Sequence, residues 1–412
     1  TNIGNYAFYG CTGLTSIAIG GGVASIGNYA FRLCTSLTSV AIPDSVTSIG
    51  TYAFYQCSRL TSLVIGNSVA IIGNNAFQAC TSLTNAAMPD GVTSIGTYGF
   101  YGCTGLTGVA IGNSLTNIGT DAFSSCPNLI EISVSESNTV YSSIAGVLFN
   151  KNQSTLLQCP GGMAGSYTIP DSTTGIGTYA FYGCNRLTGV ATGNGVTNIG
   201  TYAFYQCASL TNVIIGNSVA NIGDYAFLSC TRLAIVLMPD SVTRIGTYAF
   251  DACTGLTSLT IGSSVASVGN YAFRSCASLT NVVLPDSVTS IGTYAFYACT
   301  GLTSVAIGNG VTNIGTYAFY QCNRLTSLTI GNSVASIGNY AFRSCTSLTN
   351  VTMPDSLKII GTYAFYGCIS LNSAAIGDGV TNIGTYAFYQ CTGLTNAVIG
   401  NSVTSIGTYG FY

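Results

Sequence analysis

One spacing recurs through almost the whole chain: a Phe that follows Ala or Gly returns at a constant interval. It stands at positions 8, 31, 54, 77, 100 and 123 and, after one longer interval, at 181, 204, 227 and onward in the same register to 411. A fixed period of this length, about 23 residues, is typical of solenoids, in which each repeat forms one turn that cannot bury its apolar face alone. The spacing therefore predicts a stack of turns rather than separate globular domains.

Each repeat contains one short apolar-alternating segment between a Cys and a turn. The pattern L-x-x-V-x-I places alternate side chains on one face of an extended strand, and Gly-Asn or Pro-Asp then ends it. Strands of successive turns can pair in parallel about 4.8 Å apart. Dividing 412 residues by this period gives about 18 turns, so we expect a β-rich solenoid with a parallel sheet.

In every regular turn a Gly follows the position that usually holds Ile, as Gly27 and Gly50 do. Two physical reasons are open at this stage. Either the backbone adopts a positive φ there, or it touches the neighbouring turn too closely for a side chain.

Stacking the repeats places identical residues above one another and predicts core columns. Their first members are Phe8, Phe31, Phe54, Cys11, Cys34, Cys57, Leu14, Leu37 and Leu60. Sixteen of the 17 cysteines share one column, and we expect them to be free, buried thiols that act as small apolar groups. Disulfides between neighbouring turns are the alternative, whereas a straight column without His does not suit zinc. Cys159 lies outside the column. Its thiol either has a chemical role or simply belongs to a turn.

The regular arrays 1–126 and 169–412 are separated by residues 127–168, which we call the interlude. Residues 146–149 and 155–157 flank the turn sequence NKNQ and predict a β-hairpin. Inserts in repeat arrays often carry recognition, so Tyr141 and Lys151 are candidate partner contacts, although the interlude can equally be a spacer. Asn152 begins the N-Q-S sequon and is a possible glycosylation site if the chain is exported.

A local break in the repeat indicates another candidate contact. Ile235 and Leu237 stand where Ser and Ala are usual, and Ile214 lies one turn before Leu237. Three large apolar side chains on an outward face favour a binding patch. The alternative is local variation on a strand that a loop covers.

Two tyrosine columns and one threonine column form the repeated surface. Tyr precedes the Ala-Phe or Gly-Phe pair in fifteen turns, with Asn75 and Asp121 as the exceptions, and a second Tyr follows the pair in ten turns. Such residues suit adhesive contacts, or they cover the edge of the core and bond along the stack. Stacked Thr can order water or ice, or simply favour the strand.

The composition excludes several classes of function. Only 5% of residues are charged, the net charge is -2, and His is absent. No basic cluster is present for nucleic acid, and no run of about 18 apolar residues is present for a membrane span. We name no catalytic residue, metal ligand or cofactor and expect a non-enzymatic protein.

The pattern C-x-x-L-x-x-V-x-I-P-x-x-V-x-x-I-G-x-x-A-F-x-x-C resembles the BspA-like, or Treponema pallidum-type, leucine-rich repeat over essentially the whole chain. The resemblance implies a curved solenoid with its parallel sheet on the concave face. It also implies a secreted or cell-surface protein that acts in adhesion or protein binding. A self-assembling extracellular filament is one alternative, and an ice- or glycan-binding surface is another. Because the chain begins and ends in mid-repeat, we expect an excerpt of a longer array.

Overall fold

The computed structural model describes all residues, 1–412, and consists of strands and turns without a helix. The chain forms a β-solenoid of about 18 turns with a period of about 23 residues and parallel sheets, which confirms the predicted fold. It divides into two compact units, residues 1–165 with 176–187 and residues 166–175 with 188–412.

In the first unit every regular turn carries a long strand after the Cys-x-x-Leu segment and a short strand that ends at the Ile of the Ile-Gly pair. The long strands are Ser16–Ala18, Ser39–Ala41, Ser62–Val64, Asn85–Met88, Gly108–Ile111 and Glu131–Val134. The short strands are Asn2–Ile3, Ser25–Ile26, Ser48–Ile49, Ile71–Ile72, Ser94–Ile95 and Asn117–Ile118. The interlude adds three antiparallel strands, Tyr141–Ile144, Val147–Asn150 and Thr155–Gln158.

The second unit repeats the same two strands per turn. Its long strands are Asn212–Ile214, Ile235–Leu237, Ser258–Thr260, Asn281–Leu284, Ser304–Ile307, Ser327–Thr329, Asn350–Thr352, Ser373–Ala375 and Asn396–Val398. Its short strands are Asn198–Ile199, Asn221–Ile222, Arg244–Ile245, Ser267–Val268, Ser290–Ile291, Asn313–Ile314, Ser336–Ile337, Ile359–Ile360, Asn382–Ile383 and Ser405–Ile406. Three further strands contain the sequence boundaries between the units: Gly165–Thr168, Gly175–Ile176 and Leu187–Ala191.

The core is built from columns of identical side chains. Phe31, Phe54, Cys34 and the other interior column members are fully buried, as are Leu37, Leu60 and Cys57. Successive Phe rings lie nearly parallel, with centroids 5.0 Å apart for Phe31 and Phe54. The core therefore repeats one arrangement, in which each apolar side chain packs against the equivalent side chain of the next turn.

The prediction that Cys11 belongs to this buried core is wrong. Cys11 is exposed, and Phe8 and Leu14 are only half-buried. These residues lie in the first turn, where only the following turn packs against them. Burial in a stacked core needs a neighbour on both sides.

Backbone contact, rather than positive φ, explains the Gly of the Ile-Gly pair. A Cβ added at Gly50 would lie 2.6 Å from the amide nitrogen of Asn28 and the carbonyl carbon of Gly27. None of the Ile-Gly glycines has a positive φ. The turns therefore touch through bare backbone at this position.

Positive φ occurs instead at the residue before the Cys, as at Gln56, and at the residue before the Ala-Phe or Gly-Phe pair. In all seventeen regular turns this residue has φ between 55° and 60°, and fifteen of them are Tyr. This left-handed conformation costs about 1–2 kcal/mol for an ordinary L-residue. Ring stacking offsets part of that cost, as between Tyr248 and Tyr271, whose centroids are 4.4 Å apart. The two exceptions, Asn75 and Asp121, are residue types that tolerate this conformation best.

Repeated polar side chains join each turn to the one before. Thr61 Oγ1 donates to the carbonyl of Thr38 at 3.1 Å, and Thr93 Oγ1 donates to the carbonyl of Ala70 at 3.0 Å. The aspartate of the Pro-Asp turn bonds the following turn instead, as Asp44 Oδ1 accepts from the Asn67 amide at 2.7 Å. The threonine hydroxyls are thus directed at the backbone.

The cysteine column consists of free thiols. Interior Sγ atoms approach the carbonyl of a Phe in the preceding turn, at 3.3 Å both for Cys322 and Phe296 and for Cys345 and Phe319. Burial raises the pKa of the Cys299 and Cys345 thiols to about 12, although a backbone hydrogen bond opposes the shift. The thiols therefore stay neutral at physiological pH.

Substituting an Ile-Gly glycine should destabilise the fold. In Gly292→Ala the new Cβ would lie 2.6 Å from the Asn270 amide nitrogen, so we expect a loss of about 1–3 kcal/mol in the free energy of unfolding. The control is Gly175→Ala, where nothing lies within 4 Å of the new Cβ. Chemical denaturation of both variants checks this, and equal midpoints for the two would contradict it.

Thermal stability should fall as the pH rises above about 8.5, where the thiols of the unfolded chain ionise. The folded thiols hold their protons up to a pKa of about 12 at Cys299 and Cys345. Below about pH 8 both states are protonated and this dependence vanishes, whereas above it each such thiol removes about 1.4 kcal/mol per pH unit. Calorimetric melts under reducing conditions at pH 7 to 10 measure the slope. The triple variant Cys276→Ala, Cys299→Ala, Cys322→Ala should show a shallower one, and a pH-independent melting temperature would refute the idea.

Candidate interaction surfaces

The clearest interruption of the polar outer face lies on two neighbouring long strands of the second unit. Ile214, Ile235 and Leu237 are 59%, 46% and 58% exposed. We call these three side chains the apolar patch. The structure brings them together on one surface, as the spacing predicts.

Strand alternation explains why these side chains face outward. Val213 and Val236 take the inward positions and are almost fully buried. In the parallel register Val213 pairs with Val236 and Ile214 with Leu237. Register and alternation together place Ile214 beside Leu237 on the outer face.

The apolar patch is bounded by smaller or polar groups. Leu237 pairs onward with Thr260, and Ile235 pairs with Ser258, so the patch is two turns wide. Its side chains line a shallow groove of about 280 Å³ together with Asn212, Asn217 and Pro239. No loop covers these three residues, which removes the alternative that a loop shields them.

Tyr141 has a structural task at the point where the short strands of the first unit stop. Its hydroxyl accepts from the Ile118 amide at 3.2 Å and donates to the Thr116 carbonyl at 3.3 Å. In a regular turn the next short strand would supply these partners. The phenol is half-buried, and burial raises its pKa.

Asn138 accompanies Tyr141 and was not foreseen from the sequence. It lies one full period after Leu115, in a column that holds Val or Leu in every preceding turn, and it is fully buried. Its Nδ2 donates to the Gly112 and Leu115 carbonyls at 2.8 and 3.0 Å. Its Oδ1 accepts from the amides of Val140 and Tyr141 at 2.9 and 2.8 Å. Counting the period one turn past Leu115 would have revealed this substitution.

Lys151 and Asn152 lie at the exposed turn between two interlude strands. Lys151 Nζ donates to the Glu136 carbonyl at 2.9 Å, and Asn152 Oδ1 accepts from Ser154 Oγ at 2.9 Å. Both side chains can be reached from solvent, so Lys151 as a contact and Asn152 as a glycosylation site stay predictions.

Cys159 is buried, and its Sγ lies 3.5 Å from Met163 Sδ. This packing describes a thiol within the protein interior.

Nowhere in the structure do three His, Cys, Asp or Glu side chains converge to hold a metal ion. The structure has no apolar helix long enough to cross a bilayer.

Comparison with known proteins shows that this chain is similar to leucine-rich repeat proteins. A family profile described as "BspA type Leucine rich repeat region (6 copies)" matches residues 1–130, 72–155, 163–280, 267–358 and 312–412. A search of curated protein sequences finds no significant match.

Several solved structures are similar. A leucine-rich repeat protein from Bacteroides ovatus is 28% identical with a TM-score of 0.57, and the match covers 93% of this chain and 87% of that one. A leucine-rich repeat protein from Eubacterium ventriosum is 25% identical with a TM-score of 0.53, over 85% and 82% of the two chains. A leucine rich cell surface protein from Faecalibacterium prausnitzii is 28% identical with a TM-score of 0.48, over 80% and 82%.

Replacing Asn138 by Val, the usual residue of its column, should destabilise the protein. The substitution leaves two carbonyls and two amides without their partner, and each buried unpaired group costs about 1–3 kcal/mol. We expect the free energy of unfolding to fall by about 2 kcal/mol or more. Leu115→Val, in the same column, is the control and should cost about 0.5–1.5 kcal/mol, as the loss of one buried methylene group does. Denaturant titration compares them, and an Asn138→Val variant as stable as the native chain would overturn the assignment.

Proposed function

The chain belongs to the BspA-type leucine-rich repeat family, and on that premise we propose that it is a non-enzymatic binding protein of the cell surface or extracellular space. It holds a protein partner on the exposed face of its long strands, in the manner of an adhesin. The observation that carries this proposal is the apolar patch of Ile214, Ile235 and Leu237. Exposed apolar groups ringed by polar ones mark interaction sites.

Most other repeated side chains already have structural tasks, which supports this choice. Thr hydroxyls and turn aspartates bond the preceding or following turn, as Thr61 and Asp44 do. The Tyr column stacks on itself, as at Tyr248 and Tyr271. Recognition is therefore expected where the repeat departs from its own pattern.

The chemistry of the partner follows from the patch. Its neighbours Asn212, Asn217, Ser258 and Thr260 are neutral, so the partner surface should be apolar at its centre and uncharged around it. The interlude residues Lys151 and Tyr141 belong to the first unit and are proposed as secondary contacts only. Tyr141 would contribute its ring, since its hydroxyl is engaged by the backbone.

A displayed random-peptide library tests the role of the patch. Peptides are selected on the native chain and measured again on the triple variant Ile214→Thr, Ile235→Ser, Leu237→Thr, which installs residue types that other turns hold at these positions. We expect the selected peptides to bind the triple variant at least tenfold more weakly, a loss of about 1.4 kcal/mol. Val283→Thr is the control, because Val283 is 55% exposed on the same type of strand but outside the patch.

Equal binding to the native and triple-variant chains, or no enrichment on the native chain, would contradict the proposed binding face. Electron microscopy of the purified chain at low concentration tests the filament alternative. Dispersed particles are expected for a binding module, whereas regular filaments would contradict it.

A further inference from the structure

The last regular turn before the interlude lacks a ring at both of its surface aromatic positions, as does the turn that holds Asn75 and Gln78. Tyr precedes the pair in fifteen of seventeen regular turns, but Asp121 stands here. The position after Phe, held by Tyr in ten turns, is Ser124. Both replacements remove a ring, and the space beside them opens into a pocket of about 510 Å³ within the first unit. We call it the interlude pocket.

The pocket exposes a residue that is otherwise part of the core. Ile49, Ile72 and Ile95, which end the preceding short strands, are at most 1% exposed. Ile118, in the next turn, is only half-buried and lines the pocket. The ladder of short strands stops at Ile118. Its amide donates to the Tyr141 hydroxyl instead of to a following short strand.

The lining combines apolar, aromatic and polar side chains. The apolar ones are Ile118, Val140, Leu148 and Leu157, and Tyr141 and Tyr179 provide the rings. Its volume falls within the range of about 300–1,000 Å³ that small-molecule sites occupy. An apolar, partly enclosed space of this size suits an organic body rather than an ion alone.

One charge defines the polarity of the pocket. Asp121 is the only charged residue in the lining. Its Oδ1 accepts from Ser124 Oγ at 2.8 Å, which orients the carboxylate and leaves Oδ2 for a ligand. With no Lys or Arg in the lining, an anion has no counter-charge, whereas an ammonium group is offered both a carboxylate and the aromatic rings of the same lining.

We propose that the interlude pocket binds a small organic cation: an ammonium group on an aromatic or branched apolar body. The apolar part covers Ile118 and Leu157, and the ammonium group donates to Asp121. This site is separate from the apolar patch and does not depend on the proposed protein binding.

Three probes of similar length and different charge test the proposal: phenethylamine, 2-phenylethanol and 3-phenylpropanoate. Saturation-transfer NMR and calorimetry measure their binding to the full chain. We expect phenethylamine to bind, 2-phenylethanol to bind more weakly, and 3-phenylpropanoate not to bind detectably. No saturable binding of phenethylamine, or equal affinity for all three, would overturn the proposal.

Two substitutions at Asp121 separate charge from space. Asp121→Asn keeps the shape and suits the left-handed backbone, as Asn75 does at the same position with φ 58°. It should weaken phenethylamine binding about 10- to 100-fold, since a hydrogen bond to a charged group is lost, and leave 2-phenylethanol little changed. Asp121→Tyr restores the usual residue and should fill the pocket, which abolishes binding of both.

Asp44→Asn is the matched control. It removes one carboxylate elsewhere in the first unit and keeps the acceptor oxygen, as Asn309 shows by accepting from Asn332 at 3.0 Å. Affinity for phenethylamine should be unchanged. If Asp44→Asn and Asp121→Asn weaken binding equally, the effect is one of net charge and the proposed site is wrong.

Discussion

Contact between the bare backbones of successive turns sets the geometry on which the other interactions depend. At Gly50 and its equivalents no side chain fits between one turn and the next, so the turns approach to strand-pairing distance along one edge. That distance lets Phe31 stack on Phe54 and lets each Thr hydroxyl reach the preceding turn. A larger residue at the glycine would separate the turns. It would weaken the contacts in all columns at once, since the columns share one spacing between turns.

The repeat made the fold predictable because every turn supplies the same evidence. Period, strand alternation and the Cys, Leu and Phe columns could all be read from the residues, and the resemblance to a repeat family rested on the same positions. The reason for the Ile-Gly pair could not be read, since positive φ and close contact both select Gly. The left-handed tyrosines were also unforeseen, because propensity alone disfavours Tyr there and only tertiary stacking offsets the cost.

The candidate sites were predictable to different degrees. Ile214, Ile235 and Leu237 could be placed on one outer face because they keep the period. The interlude does not keep it, so the contacts of Tyr141 could not be foreseen, and Asn138 was missed although it still follows Leu115 by one full period. The interlude pocket needed more than the exceptional residue Asp121, since its volume depends on the path that the chain takes afterwards. Sequence repetition predicts shared structure well and individual departures poorly.

The antiparallel strands Tyr141–Ile144, Val147–Asn150 and Thr155–Gln158 have a consequence for folding. In a chain of near-identical repeats, one segment can pair a whole repeat away from its native partner at almost no cost in energy. Such displaced pairings are kinetic traps during folding. The interlude strands pair with each other in antiparallel order, and Thr155–Gln158 also pairs with the short strand Gly175–Ile176. Because the interlude has no copy elsewhere in the chain, we expect it to pair in one way only and so to fix the register of the repeats that pack against it.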